Sequence, residues 1–236
     1  MYYITVLMIN NIKQISEQAF LLDFGDEITK EINCNVIKIF YHIHNQIQKD
    51  NFLDLKNCVP SYNKLLLQFN PIKENKNAIH DFIKSIDITK INSQITNQEN
   101  VIPICYDEEF ALDIKRLEEK TKLSFKEIIS EHLNTDFFVY MIGFVPGQPF
   151  LGDLNKNLYH DRLDTPRVKI NKGSVGIVEK FCTIYTFESP GGWNIIGRSP
   201  LDLFNINKKN TSILSPGDTV KFKSITKKEL LSFKNE

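Results

Sequence analysis

The chain's single tryptophan, a tyrosine and three arginines gather between residues 143 and 198, and their types and spacing suggest recognition of a small carboxylate. In Ser189-Pro190-Gly191-Gly192-Trp193, two glycines after a proline can expose consecutive backbone N–H groups as an anion-binding nest. Arg198 follows on the same segment. Together they suit a planar ligand, with N–H groups and guanidinium on its carboxylate and the indole against its ring. Tyr185, in the TIYTF run just upstream, joins the same candidate substrate-binding set. A tight turn whose tryptophan fills the end of a barrel fits the pattern equally well.

Arg162 and Arg167 flank Leu163-Asp164-Thr165-Pro166. Behind Pro166 the backbone is constrained, so Arg167 suits a pre-oriented bidentate clamp. A surface ion pair with Asp161 or Asp164 has even weight. His132 and Glu109 are the candidate acid–base groups, although such residues standing alone are more often exposed or internally satisfied. Ser174 has no GxSxG elbow and no legible Ser-His-Asp spacing. His42 and His44 stand two apart on a helical stretch, on different faces, so they do not form an i,i+4 metal pair. The cysteines Cys34, Cys58, Cys105 and Cys182 contain no CxxC, which argues against zinc and against a disulfide framework. No metal site is evident, nor is a lysine-centred biotin-attachment signature.

Positioning these residues requires two kinds of architecture. Eight of the ten glycines lie between residues 143 and 198, where they punctuate short β-prone runs at 137–144, 173–178, 183–187, 194–196 and 219–222. Such spacing predicts a barrel or sandwich. Pro216-Gly217-Asp218 reads as a hairpin turn before the last run, and 101–106, with Pro103 inside it, as an edge or bulged strand. Phe110, Ile114 and Leu117 predict a helix over 109–120. Ser124 and Glu127 form a capping box that opens another through Asn134. As a helix-turn-helix this pair is too acidic for phosphates, with Glu127, Glu131 and His132 against Lys126 alone.

Upstream, strands are expected at 2–9 and 19–24. Asp26 is placed to cap a helix in which Ile28, Ile32, Val36, Ile39, Phe40, Ile43 and Ile47 recur at steps of three and four. Strands at 53–59 and 64–69, joined by Pro60-Ser61-Tyr62-Asn63, and a short helix at 75–86 complete an antiparallel sheet with helices on one face. No Gly-rich turn joins strand to helix, so a P-loop or Rossmann site is not expected. The polar, aperiodic stretch 88–100 reads as a linker, which divides the chain into domains at 1–90 and 91–236.

With 29 basic and 29 acidic residues the formal net charge is zero, so no global field favours nucleic acid or an anionic membrane. No apolar run approaches the ~18 residues of a membrane span. The N-terminal run lacks the basic flank and cleavage site of a signal peptide. A cytoplasmic protein is expected.

The blocks GFVPGQPFLGDL, TPRVKINKGSVGI, IYTFESPGGWNIIGRSPLDLF and SPGDTVKF resemble, in order, signature segments of the B-type subunit of 5-oxoprolinase. That family is also known as allophanate hydrolase subunit 1 or the KipI family. AFLLDFGDEI, VPSYNKLLLQFNP, IPICYDEEFALDI and LSFKEIISEHL extend the resemblance over nearly the whole chain. It implies an α+β N-terminal domain followed by a mainly β, cyclophilin-like barrel with short helices. It implies partners too, a larger homologous C-type subunit and a separate A-type subunit. With them, such proteins open 5-oxoproline to L-glutamate at the expense of ATP, used by the complex to activate a resonance-stabilised lactam. The resemblance equally admits an inhibitor of a sporulation-type histidine kinase, or a subunit of a urea- or allophanate-processing carboxyltransferase. Gln148 stands where the family usually has an aromatic residue, Gly152-Asp153 where it has two glycines, and Phe181 where it has glutamine.

Overall fold

The computed structural model describes residues 9–48, 55–70, 76–91 and 98–234. The chain divides into two compact units, Met1–Thr96 and Asn97–Glu236. The expected boundary at 90/91 falls just short of this division. Ile88–Lys90 form a 3-10 turn capped by Asp87, and Ile88 and Ile91 pack on the first unit's core, so the linker begins later than its polarity implied.

The first unit holds β1 (Asn11–Ser16), β2 (Ala19–Asp23), α1 (Lys30–Gln48), β3 (Leu55–Pro60), β4 (Lys64–Phe69) and α2 (Lys76–Ser85). The strands form an antiparallel sheet in the order β1-β2-β4-β3. Alternation puts Phe20 and Leu22 of β2, and Leu65, Leu67 and Phe69 of β4, on one face. Ile32, Val36, Ile39 and Ile43 of α1 and Ile79 and Ile83 of α2 cover it. Thr29 rather than Asp26 caps α1, accepting the Ile32 N–H at 3.2 Å. The buried Asn33 donates to the Ser61 and Tyr62 carbonyls, tying the helix to the β3–β4 turn. The expected strand at 2–9 lies almost wholly outside the described residues. β1, which follows it, is a polar edge strand whose sequence NIKQIS shows no apolar alternation to announce it.

The second unit contains β5 (Glu99–Ile104), α3 (Ile114–Thr121), α4 (Phe125–Leu133), β6 (Phe137–Ile142), β7 (Pro149–Gly152), β8 (Arg167–Ile170), β9 (Ser174–Val178), β10 (Phe181–Ile184), β11 (Ser189–Gly191), β12 (Asn194–Arg198), β13 (Thr219–Ser224) and α5 (Lys227–Ser232). Seven strands form one sheet in the order β12-β9-β10-β7-β6-β13-β5. Its two outer strands meet at one bridge. Cys105, just beyond β5, exchanges hydrogen bonds of 2.8 and 2.9 Å with Arg198, the last residue of β12. That bridge closes the sheet into a barrel.

The barrel is filled by Ile102, Ile104, Phe137, Val139, Leu151, Val175, Ile177, Cys182, Ile184, Ile196, Val220 and Phe222, all at most 5% exposed. Ile114, Leu117 and Ile128 of α3 and α4 join the same core, so the helix pair is committed to packing. α3 starts at Ile114, and residues 107–113 are turns. The capping box at Ser124 is formed as read. Pro216-Gly217-Asp218 is not a hairpin turn, because β13 pairs with β6 and β5 rather than with β12. Gly217 is left-handed at φ 98°, and Asp218 accepts the N–H groups of Ser215 and Gln98, anchoring the start of β5. β8 and β11 pair in a separate ribbon.

Candidate functional site

β12 carries Trp193 at its entrance and Arg198 at its exit, and the two residues face different surroundings. Ile195 and Tyr185 point away from the barrel interior and join Ile170 of the ribbon in a small buried cluster against which Trp193 packs. Trp193 meets Phe150 edge to face, with ring centroids 5.9 Å apart. Gly191 pairs with Arg167 in the β8–β11 ribbon, and neither Gly191 nor Gly192 has a positive φ. A nest needs alternating backbone handedness, so the expected anion seat is absent. Gly191 serves close packing instead, since a Cβ there would lie 2.3 Å from the Tyr185 hydroxyl oxygen. Burial pushes the Tyr185 phenol up to about 12, against the opposing pull of the Arg162 and Arg167 charges. Arg162 itself is exposed.

Arg167 is a bidentate clamp, but its partner belongs to the protein. Its guanidinium forks onto Asp113, with N–O distances of 2.9 and 2.7 Å, in place of the expected Asp161 or Asp164. The Asp113 carboxylate, almost fully buried, also accepts the Ile195 N–H at 2.7 Å. Although Asp113 stands at the N-cap of α3, its side chain makes no capping bond. It fastens the ribbon and β12 to the helix. Arg116 on the next turn donates to the Asn194 carboxamide. Sequence reasoning missed Asp113, whose partner lies 54 residues away and leaves no local signature.

At the other end of β12, Arg198 and Glu109 line a common cleft of about 120 Å³ with Phe110, Leu112, Asn171 and Ser174. The Arg198 guanidinium lies 5.8 Å from the Phe110 ring centroid and has no anionic partner among the described residues. Glu109 pairs with Lys227 of α5 at 2.6 Å. On its far side Arg198 borders a groove of about 360 Å³ between Lys172, Ser199 and α5. A larger cavity, about 730 Å³, lies in the first unit beside Ile9–Ile12 and the end of α2, and holds none of the sequence's candidate residues.

His132 is remote from all of this. It is fully buried, with Nδ1 2.8 Å from the Tyr106 hydroxyl and Nε2 3.5 Å from Cys182 Sγ. Phe137 and Phe222 pack on its ring. Burial lowers its pKa to about 3, raises the Cys182 thiol and holds the Tyr106 phenol well up, so all three groups are neutral. The triad looks like a relay, but no solvent reaches it. His132 is a core residue, and the structure does not bring it to Glu109 as an acid–base pair.

The carboxyltransferase domain, subdomain C and D, matches residues 10–214. The chain belongs to that family. It is 32% identical to the 5-oxoprolinase B subunit of Bacillus subtilis (strain 168), over 95% of this chain and 97% of that one. It is 41% identical to the 5-oxoprolinase B subunit of Haemophilus influenzae, over 51% of this chain and 57% of the relative. Among solved structures, that of TTHA0988 superposes with a TM-score of 0.77 at 25% identity, covering 88% of this chain and 40% of that longer one.

As a carboxyltransferase-family chain, it absorbs its own departures locally. Asp153 is left-handed at φ 68°, a conformation that suits the second glycine of the family pattern. An aspartate tolerates it, and its carboxylate accepts the Tyr140 hydroxyl at 2.9 Å. Gly152 remains obligatory, because a Cβ there would lie 2.1 Å from the Tyr140 ring. Phe181 is almost fully buried on β10, edge-on to that same ring at 5.8 Å. Gln148 is buried, donates through Nε2 to Thr183 at 3.1 Å, and leaves Oε1 with no donor among the described residues.

Proposed function

We propose that this chain is the B-type subunit of a heteromeric 5-oxoprolinase that opens 5-oxoproline to L-glutamate, with homologous C-type and A-type subunits as partners. The observation that carries the reading is the 32% identity to a 5-oxoprolinase B subunit, held over 95% of the chain. The barrel we take to be cyclophilin-like, within the architecture shared with TTHA0988. The reaction consumes ATP in the complex, and we assign nucleotide binding to another subunit. The N-termini of α4 and α5 are closed by their own capping boxes at Ser124 and Thr226. No glycine-rich turn leads a strand into a helix among the described residues, which supports that assignment.

None of the four cysteines forms a disulfide, and among the described residues no helix is long and apolar enough to cross a membrane; a cytoplasmic assembly is our reading. Co-expression with homologues of the partner subunits, followed by an assay of ATP- and 5-oxoproline-dependent glutamate release, tests the proposal. A well-formed complex without that activity refutes it. The family's carboxyltransferase description favours a second reading, a component of an enzyme acting on urea or a small amide. Bicarbonate-dependent ATP turnover with such an amide, and none with 5-oxoproline, selects it.

A further inference from the structure

The cleft at the exit of β12 combines features that none of the other candidate positions has. Its one uncompensated charge is the Arg198 guanidinium, half-buried and steadied by the Phe110 ring. The only acid lining the cleft, Glu109, is paired with Lys227, which leaves the Arg198 guanidinium without a carboxylate of its own. The Arg198 backbone is fixed by both hydrogen bonds of the bridge to Cys105, so its side chain leaves from a rigid point. Ser174 faces it directly across the β9–β12 pair, and Asn171 opens the turn that leads into β9. That turn depends on Gly173, left-handed at φ 83°, where a Cβ would come within 2.4 Å of the Ser199 carbonyl oxygen.

A guanidinium with no counter-ion, lying over an aromatic ring, is suited to forking onto a carboxylate. At about 120 Å³ the cleft is well below the roughly 300–1,000 Å³ of drug-sized sites, which restricts it to a small molecule. The Asn171 carboxamide can present an N–H donor and its carbonyl acceptor along one edge. A small lactam presents its N–H and C=O side by side, because its ring enforces the cis amide. A carboxamide matches that edge with two hydrogen bonds.

We propose that this cleft is the seat of a small carboxylate bearing a cis amide, with Arg198 forked onto the carboxylate and Asn171 facing the amide edge. That the ligand is 5-oxoproline rests on the functional reading above; the anion seat rests on the cleft itself. Trp193 and Tyr185 belong to the ribbon cluster and take no part in it.

The test uses the reconstituted complex, with 5-oxoproline and its decarboxylated analogue 2-pyrrolidinone as probes. Arg198→Gln raises the KM and the dissociation constant for 5-oxoproline roughly 10- to 100-fold, the loss of a charge-assisted fork. Binding of 2-pyrrolidinone stays unchanged, an outcome that general damage to the barrel would not produce. Asn171→Ala weakens both probes. Lys169→Gln, which removes an exposed charge on β8, leaves both unaltered. An Arg198→Gln complex that keeps wild-type KM and affinity for 5-oxoproline overturns the site while the functional reading stands. If the wild-type complex does not turn over, equilibrium dialysis with 5-oxoproline decides: binding lost in Arg198→Gln supports the site alone, and no binding by wild type overturns both.

Discussion

Replacing His132 with glutamine should flatten the acid side of the stability profile by an amount that follows from the burial of its ring. The folded-state pKa of about 3 lies below the 6.5 of an exposed histidine, because burial excludes the charged form. Between those values the unfolded chain binds a proton that the folded chain does not. Stability contributed by the neutral ring is therefore complete above pH 6.5 and is lost as pH falls toward 3. At about 1.4 kcal/mol per pH unit, the loss reaches about 2 kcal/mol at pH 5. Tyr106 and Cys182, the titratable groups in contact with the ring, are both shifted up and stay neutral throughout this range. His160, whose pKa is also lowered by burial, titrates alike in both proteins and cancels in the comparison.

Urea unfolding of wild type and His132→Gln at pH 7.5, 6.5, 5.5 and 5.0, followed by near-ultraviolet dichroism, reads the difference. The variant is less stable than wild type at pH 7.5, since it disturbs a packed ring and the Tyr106 partner. The gap narrows by about 2 kcal/mol by pH 5. A gap that does not change with pH, or an NMR titration of His132 near 6.5, refutes the buried neutral ring. It would reopen the case for His132 as a proton carrier.

Asp113→Ala removes the fork to Arg167 and the acceptor of the Ile195 N–H, and should cost about 3 kcal/mol, or a Tm lower by roughly 6–12 °C in a thermal melt. Gly152→Ala places a methyl group inside the Tyr140 ring's contact distance; little folded protein is expected, judged by soluble yield and hydrogen exchange. Asp153→Gly gains backbone ease and loses the Tyr140 hydrogen bond, so its melting point should stay within a few degrees of wild type, whereas Asp153→Val, β-branched at φ 68°, falls well below both.

Features governed by nearby residues are legible in the sequence. The apolar steps of α1 span five turns, and the Ser124 capping box is complete within four residues. β7 and β8 are not legible. PFLG and RVKI are too short to show a period, and each becomes a strand through partners elsewhere in the chain. The SPGGW segment reads locally as a turn, yet pairing with β8 extends it and removes the nest. Arg167 reads as a clamp from its proline-fixed backbone, but nothing near it points to Asp113. Glu109 and Arg198 are candidates for separate reasons, and only the closure of the barrel places them in one cleft.

The parallel pairing of β5 with β13 also sets a timetable. Gln98, at the foot of β5, hydrogen-bonds Asp218, 120 residues later, and every β5 register partner lies in the last strand of the barrel. At about 5–20 residues per second, a ribosome needs on the order of ten seconds to make that interval. Throughout it, β5 waits without its parallel neighbour, and Pro103, on the opposite edge that faces Arg198 of β12, offers no N–H to a stray strand there. Barrel closure thus waits for the synthesis of β13. A ribosome stalled before residue 219 would present chaperones with an open seam rather than a smaller barrel.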